Sequence, residues 1–343
     1  MAGERYRSPP LDLVLPGLSF VLSIDPGSRA DRLDLARHQR IYRRLPLRFR
    51  MRQFPDRLRF LSTNPTTESE RRFSPFFRCE TVGASKQNVH VVSPSDWLTR
   101  LAQKSAVWPE QTQFQKIHYG LDLKKFKPLD RDMARQTLGL PTDTKLIAFG
   151  AADVTNERKG FRYLAEALQQ VHQQHPQQVE CLIFGSGELD FAADLPTVHP
   201  MGFVEDAGRL NQIYSAADML VIPSLEDNQP QTGLESMACG TPVVAFEAGG
   251  IPEFVRHEQT GLLARQADSN DLAAQIIRLA NDPELQHRMG ESARAMMELE
   301  FDTETQAWHH LKLYRDILKS NSASTPASAV SYTHLTLPTT PYV

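Results

Sequence analysis

The stretch Pro223-Ser224-Leu225-Glu226-Asp227-Asn228-Gln229-Pro230, followed after two residues by Gly233-Leu234-Glu235-Ser236-Met237-Ala238-Cys239-Gly240-Thr241-Pro242, decides the fold. The apolar run Met219 to Ile222 before it is a buried strand by composition. A polar loop follows, then a helical pattern over Thr232 to Cys239, then a glycine turn into a second apolar run, Pro242 to Phe246. The loop brings two carboxylates and an amide to the edge of a sheet. The helix after it aims its N-terminal amides toward the loop, which suits an anion. Glu235 is placed in the first turn, within reach of a bound ligand. The same residues also describe a solvated acidic loop followed by a helix that merely packs, and the stretch alone does not separate the two.

Working outward, the same grammar repeats. Val89 to Val92 is a short apolar run ending at Ser93-Pro94-Ser95, with a helix from Asp96. Lys145 to Phe149 and Cys181 to Phe184 are further strands. Phe161, Leu164, Ala165, Leu168 and Val171 share one helical face. Ala207 to Ala216 and Asp271 to Ala280 are helical, the second capped by Ser269 or Asn270. Strands alternating with helices predict a doubly wound parallel sheet, an α/β fold with ligands beyond the carboxyl ends of its strands.

Composition narrows the class. The 343 residues exceed one ordinary core, and a net charge of -3 points away from nucleic acid. Cys79, Cys181 and Cys239 form no CxxC pair, so neither a disulfide framework nor a zinc site is expected, and a reducing compartment is. No apolar run reaches membrane-spanning length. The average hides a break: residues 1–85 hold sixteen arginines and no lysine, whereas the remainder holds ten lysines and twelve arginines. Asp31, Asp34 and Asp56 interrupt that basic run and argue against a nucleic-acid patch.

Other motifs follow in order. Glu157-Arg158-Lys159-Gly160-Phe161 puts two cations where the first helix begins, against the dipole preference of that end. Phe184-Gly185-Ser186-Gly187-Glu188 is a strand running into a glycine turn, but Asp190 stands where a third glycine would complete a dinucleotide fingerprint. Tyr214 reads as core. Gly249-Gly250-Ile251-Pro252-Glu253 reads as a structural turn.

Together these motifs resemble the family 4 retaining glycosyltransferases, which have the two-domain GT-B architecture. Their hallmark is a pair of acids eight residues apart, here Asp227 and Glu235, with Asp where the family usually has Glu. The form LEDNQPQTGLESMACGTPVVAF is similar to the bacterial exopolysaccharide and colanic-acid branch. The resemblance implies that Glu235 binds the donor ribose and that Asp227 with Asn228 lies beside the donor sugar. It implies that Lys159, with Arg158, neutralises the diphosphate. Phe149-Gly150-Ala151, Gly185 and Gly187 match turns where the donor nears the backbone; Phe203 and Val204 match the segment that reads the base; Gly233 and Leu234 belong to the hallmark helix. Catalysis is expected of Asp227, Glu235 and Lys159, with no metal and no cofactor besides the nucleoside-diphosphate sugar as donor substrate. The acceptor is expected to be a saccharide or lipid-linked saccharide, and the location cytoplasmic, with contact at the inner face of the membrane left open.

The resemblance also sets the domain reading. Residues 123–318 form the C-terminal, Rossmann-like nucleotide-sugar-binding domain, complete. Residues 86–122 match the end of an N-terminal acceptor domain, with Tyr119-Gly120-Leu121-Asp122 and Phe126-Lys127-Pro128 as linker. Residues 1–85 match nothing in that domain and are expected to be out of frame or disordered, leaving the N-terminal domain incomplete. Reading Arg32 to Ser62 one base later, with permitted codons, yields a string resembling the missing acceptor segment. The single codon of Met51 then allows only Cys, Trp or a stop, and Cys is the residue wanted. Residues 319–343 are a polar tail, and VSYTHLTLPTTPYV from Val330 resembles translated adaptor sequence. The competing reading is a nucleotide-sugar-binding remnant without transfer.

Overall fold

The computed structural model describes residues 20–24, 88–105, 108–174, 179–187 and 195–324. The expectations for residues 25–85 and for the tail from 325 lie outside the described residues, as do Glu188 and Asp190.

Two sheets are present among the described residues. The smaller joins β1 (Phe20–Ile24), β2 (Asn88–Ser93) and β3 (Gln113–Lys116), with β1 antiparallel and β3 parallel to β2. The sequence pattern predicts no element in 1–85, yet Phe20–Ile24 pairs along the edge of β2. Five residues are too few to show a period, so only the partner reveals them. Helix α1 (Asp96–Gln103) crosses between β2 and β3.

The larger sheet is six-stranded and wholly parallel: β4 (Lys145–Asp153), β5 (Val179–Ser186), β6 (Val198–Gly202), β7 (Met219–Ile222), β8 (Val243–Phe246) and β9 (Gly261–Ala264), in the order β6-β5-β4-β7-β8-β9. Its strands alternate strictly. Leu146, Ala148, Leu182, Leu220, Ile222 and Val243 face one core with α4 (Ala207–Ala216), α5 (Gln231–Ala238) and α7 (Pro283–Glu300). Ile147, Phe149, Cys181, Met219, Val221 and Val244 face the other with α3 (Phe161–Gln174) and α6 (Ser269–Ala280). A one-residue slip would exchange the two faces, so burial on both sides fixes the register. The α/β expectation is met.

Local details differ from the sequence reading. Ala167, not Ala165, completes the buried stripe of α3. Asp268 caps α6, accepting from the amides of Asn270 and Asp271, because the helix already begins at Ser269. α5 runs Gln231–Ala238, which moves Glu235 from the first turn to the second. The turn Glu157–Lys159 is a separate 3-10 turn rather than the start of α3, because Gly160 follows it in a left-handed conformation.

The chain crosses between the two units twice. Leu121 donates its N–H to Phe301 O at 2.8 Å and accepts from Thr303 N at 3.2 Å. Helix α8 (Thr303–Ser324) then packs Leu313 and Ile317 against Val92 and Ile117. The last helix of the stretch 123–318 thus belongs, by contact, with the first sheet.

Candidate functional site

The strand order reverses between β4 and β7. The chain runs outward through β5 and β6 on one side and returns through β8 and β9 on the other. At such a switch point, loops leaving neighbouring strands diverge and open a crevice at their carboxyl ends. The loops in question are those after Asp153 and after Ile222.

Each loop is stiffened locally, then sewn to the other. Asp153 accepts from the Thr155 amide at 2.9 Å and its hydroxyl at 2.6 Å; Asn156 caps the 3-10 turn by accepting from Arg158 N at 3.0 Å. Gly160 closes that turn at φ 73°, and a Cβ there would sit 1.9 Å from the Pro223 carbonyl oxygen. Only glycine fits both the conformation and the approach. Leu225 donates its N–H to Arg158 O at 2.9 Å.

That stitching places the charges. Lys159 Nζ lies 2.7 Å from Asp227 Oδ2, with both side chains mostly buried. Arg158 donates to Glu226 O at 2.7 Å and stands 3.9 Å from Asp227. Behind them the turn Gly249-Gly250 presses on the loop. The Gly250 amide donates to Asp227 O at 2.9 Å, and a Cβ at Gly249 would meet that same oxygen at 2.0 Å.

Glu235 projects from α5 and accepts the Tyr214 hydroxyl on Oε2 at 2.7 Å. The Tyr214 ring is fully buried, edge-on to Phe184 with centroids 5.5 Å apart. Burial raises the Glu235 carboxyl from 4.5 to about 6, and the Tyr214 hydrogen bond lowers it only in part. Near neutral pH Glu235 is therefore ionised and held in one orientation. Its pairing with Tyr214 escapes sequence reading, which sees an apolar residue at helical spacing.

The remaining candidates divide. Phe203 is 59% exposed beside Val204, which touches the core. Phe203 is thus free to lie flat against a planar ligand. Gly150 lies under the Phe184 ring; Gly185 is closed in by Ala151 O, and Gly187 by Thr155. A Cβ added at any of these glycines would collide with those neighbours. Gly233 and Leu234 are buried and donate their N–H groups to Pro230 O at 3.0 and 3.4 Å. Pro230 supplies no side-chain cap, so the open amides of α5 are those of Gln231 and Thr232. Among the described residues no cluster of three or more His, Cys, Asp or Glu side chains could hold a metal.

Contacts that sequence reading did not foresee tie this loop to the first sheet. Gln229 accepts from Tyr119 N at 3.0 Å and donates to Pro94 O at 3.1 Å. His118 Nδ1 lies 2.9 Å from Pro94 O and 2.8 Å from Gln229 Nε2, and burial is the main cause holding the His118 pKa below its ordinary value. Glu253 accepts from the amides of Asp96 and Trp97, each at 2.8 Å. Ser95 donates to Asn228 Oδ1. No local pattern announces such contacts.

The Lys159–Asp227 pair thus lies at the switch point of a parallel sheet, the place where such sheets receive ligands. Residues 143–282 match the family model described as glycosyl transferases group 1. The chain is 33% identical over 190 residues to a D-inositol 3-phosphate glycosyltransferase of Saccharomonospora viridis, covering 51% of this chain and 44% of that protein. It is 31% identical over 243 residues to a GDP-mannose-dependent monoacylated alpha-(1-6)-phosphatidylinositol monomannoside mannosyltransferase of Corynebacterium glutamicum, covering 64% and 62%. Among solved structures, sucrose-phosphate synthase from Thermosynechococcus elongatus aligns with a TM-score of 0.60 at 27% identity, over 74% of this chain and 64% of that one. Anabaena HepE in complex with UDP and glucose shares the fold at a TM-score of 0.58 and 24% identity, over 72% and 68%. The chain spans about half the length of the first of these curated relatives. No described helix is long and apolar enough to cross a membrane.

Proposed function

We propose that this chain carries the donor half of a retaining glycosyltransferase that moves a sugar from a nucleoside-diphosphate sugar to a saccharide acceptor. The observation that carries the reading is the Lys159–Asp227 pair at the switch point of the group 1 domain. The lysine is paired with Asp227 at 2.7 Å. A diphosphate offers it more negative charge, so Lys159, with Arg158, turns to the leaving group and stabilises the charge that develops as the sugar departs. The freed Asp227, with Asn228, then borders the sugar. Glu235 accepts from the ribose hydroxyls, Phe203 and Val204 contact the base, and the amides of Gln231 and Thr232 face the phosphates. Departure and attack take place on the same face, with no covalent nucleophile and no metal assigned.

The finer points rest on the sequence. The form of the Leu225–Phe246 stretch supports a role in exopolysaccharide or cell-surface glycan synthesis. Relatives named for D-inositol 3-phosphate and for a phosphatidylinositol mannoside support a polar or lipid-linked acceptor met at the inner face of the membrane by a cytoplasmic protein. The proposed division is 86–122 as the end of the acceptor domain and 123–318 as the donor domain, with β1 from the segment 1–85 paired to the first sheet and helix α8, which runs past 318 to Ser324, packed against that sheet.

The test is to incubate the full chain with UDP-glucose or GDP-mannose and saccharide acceptors, following nucleotide release and the anomeric configuration of any product. Retention, lost in Lys159→Ala, supports the reading. Donor binding without transfer would identify a nucleotide-sugar-binding remnant, and inversion would refute the mechanism.

A further inference from the structure

Ser95 is fully buried at the N-terminus of α1, in extended conformation, and its hydroxyl has two tasks. Its oxygen accepts from Leu98 N at 3.0 Å, capping the helix. Its proton goes across to Asn228 Oδ1, on the loop that carries Asp227. With Oδ1 engaged, the Asn228 amide is turned so that Nδ2 bears the free N–H groups, and this atom is buried without a hydrogen-bond partner among the described residues. A buried unmade donor costs about 1–3 kcal/mol, which a ligand oxygen reaching Nδ2 would recover.

The surroundings preserve that arrangement. A Cβ on Gly250 would come within 3.1 Å of both Asn228 Oδ1 and Ser95 Cβ, so glycine leaves the contact its room. Glu253 holds the amides of Asp96 and Trp97 and is itself 3.6 Å from Lys116. Gln229, next along the loop, is anchored to Pro94 and Tyr119. The N-terminus of α1 is thereby clamped to the loop on both sides of Asn228.

We propose that Ser95 is a positioning residue for the donor. It fixes the Asn228 amide so that Nδ2 donates to an oxygen of the transferred sugar. The inference rests on the donor-site reading above. It adds that a residue preceding the linker sets how the sugar end is recognised, while the nucleotide end is gripped by the group 1 domain alone.

Capping and positioning separate by substitution, because a cap need only accept. Ser95→Asp keeps an acceptor for Leu98 N but has no proton for Asn228. The amide must rotate to give Nδ2 to the carboxylate and so presents Oδ1 to the ligand. Ser95→Thr keeps both functions. Affinities of the full-length variants for UDP-glucose, GDP-mannose, UDP and GDP are measured by titration calorimetry, with melting temperature recorded for each; Ser95→Gly, also a good N-cap, stands in if the Asp variant fails to fold. For whichever sugar nucleotide wild type binds, Ser95→Asp is expected to weaken binding about five- to tenfold. The matching diphosphate should bind unchanged, and Ser95→Thr should behave as wild type. Equal loss for sugar nucleotide and diphosphate overturns the inference, as does no loss at all. If wild type binds none of the four, the donor-site reading fails and this inference with it.

Discussion

Strand β7 carries an aspartate just before its amino end and another in the loop beyond its carboxyl end, and the two live under opposite rules. Asp218 is 2% exposed and surrounded: Arg135 at 2.7 Å, Arg131 at 3.1 Å, Lys145 at 3.4 Å, with Leu146 N donating at 2.7 Å and Gln286 at 3.2 Å. Burial pushes its pKa up, but the Arg131 charge, the Leu146 amide, Arg135 and Lys145 together hold it below the usual carboxylate value. Asp227 has one close cation, Lys159, at the mouth of a crevice. The first aspartate is over-determined and joins α2 (Arg131–Leu138), β4 and α7 into one body. The second has Lys159 as its close cation and accepts from Asn228 N at 3.0 Å, so far less of the fold depends on it.

The contrast can be broken most severely at Asp218. Asp218→Ala leaves three cations facing an empty site, two of them partly solvated, and should cost about 3–5 kcal/mol. Chemical denaturation would show it, while the folded fraction keeps its donor affinity. Lys159→Ala should do the reverse, weakening donor binding by about 2–3 kcal/mol in calorimetry with little change in melting temperature.

Glu235 lies between these extremes, partly buried yet ligand-facing. Its folded pKa, raised to about 6 from 4.5, means the folded state prefers the proton. Its contribution to stability is therefore fullest below 4.5 and is lost as pH rises through 6. Glu235→Gln should gain up to about 2 kcal/mol at pH 8 and nothing at pH 4. In wild type, donor affinity should fall as pH drops through about 6; the Gln variant should lose that dependence and bind weakly throughout. The smallest effect is expected at Asp227→Ala. Exchange of a partly solvated pair should move stability by less than about 1 kcal/mol, because Lys159 can reach water. A loss as large as that at Asp218 would show that the pair is structural after all.

These two ends also mark what the sequence discloses. Met219–Ile222 and Ala207–Ala216 are legible to the residue, the strand as an unbroken apolar run between Asp218 and Pro223 and the helix by its spacing after Asp206. The Lys159 and Asp227 candidates are legible through spacing and resemblance. Hidden was everything decided by distant contact. Gly160 breaks the helix start because it must pass beneath Pro223. Tyr214 looks apolar because its hydroxyl partner sits on another helix. At Gly150, Gly185 and Gly187 the close protein neighbours are Phe184, Ala151 and Thr155, which no local pattern names.

On the proposed function, the donor occupies the crevice between the ends of β4 and β7. Hydrogen exchange of the full chain, with and without saturating UDP-glucose or GDP-mannose, tests it most directly. Protection is expected in peptides covering 155–160 and 223–235, and should disappear in Lys159→Ala at the same ligand concentration. Protection confined instead to the cleft of about 530 Å³ lined by Arg131, Gln286 and Arg294, near the amino end of β7, would contradict the account.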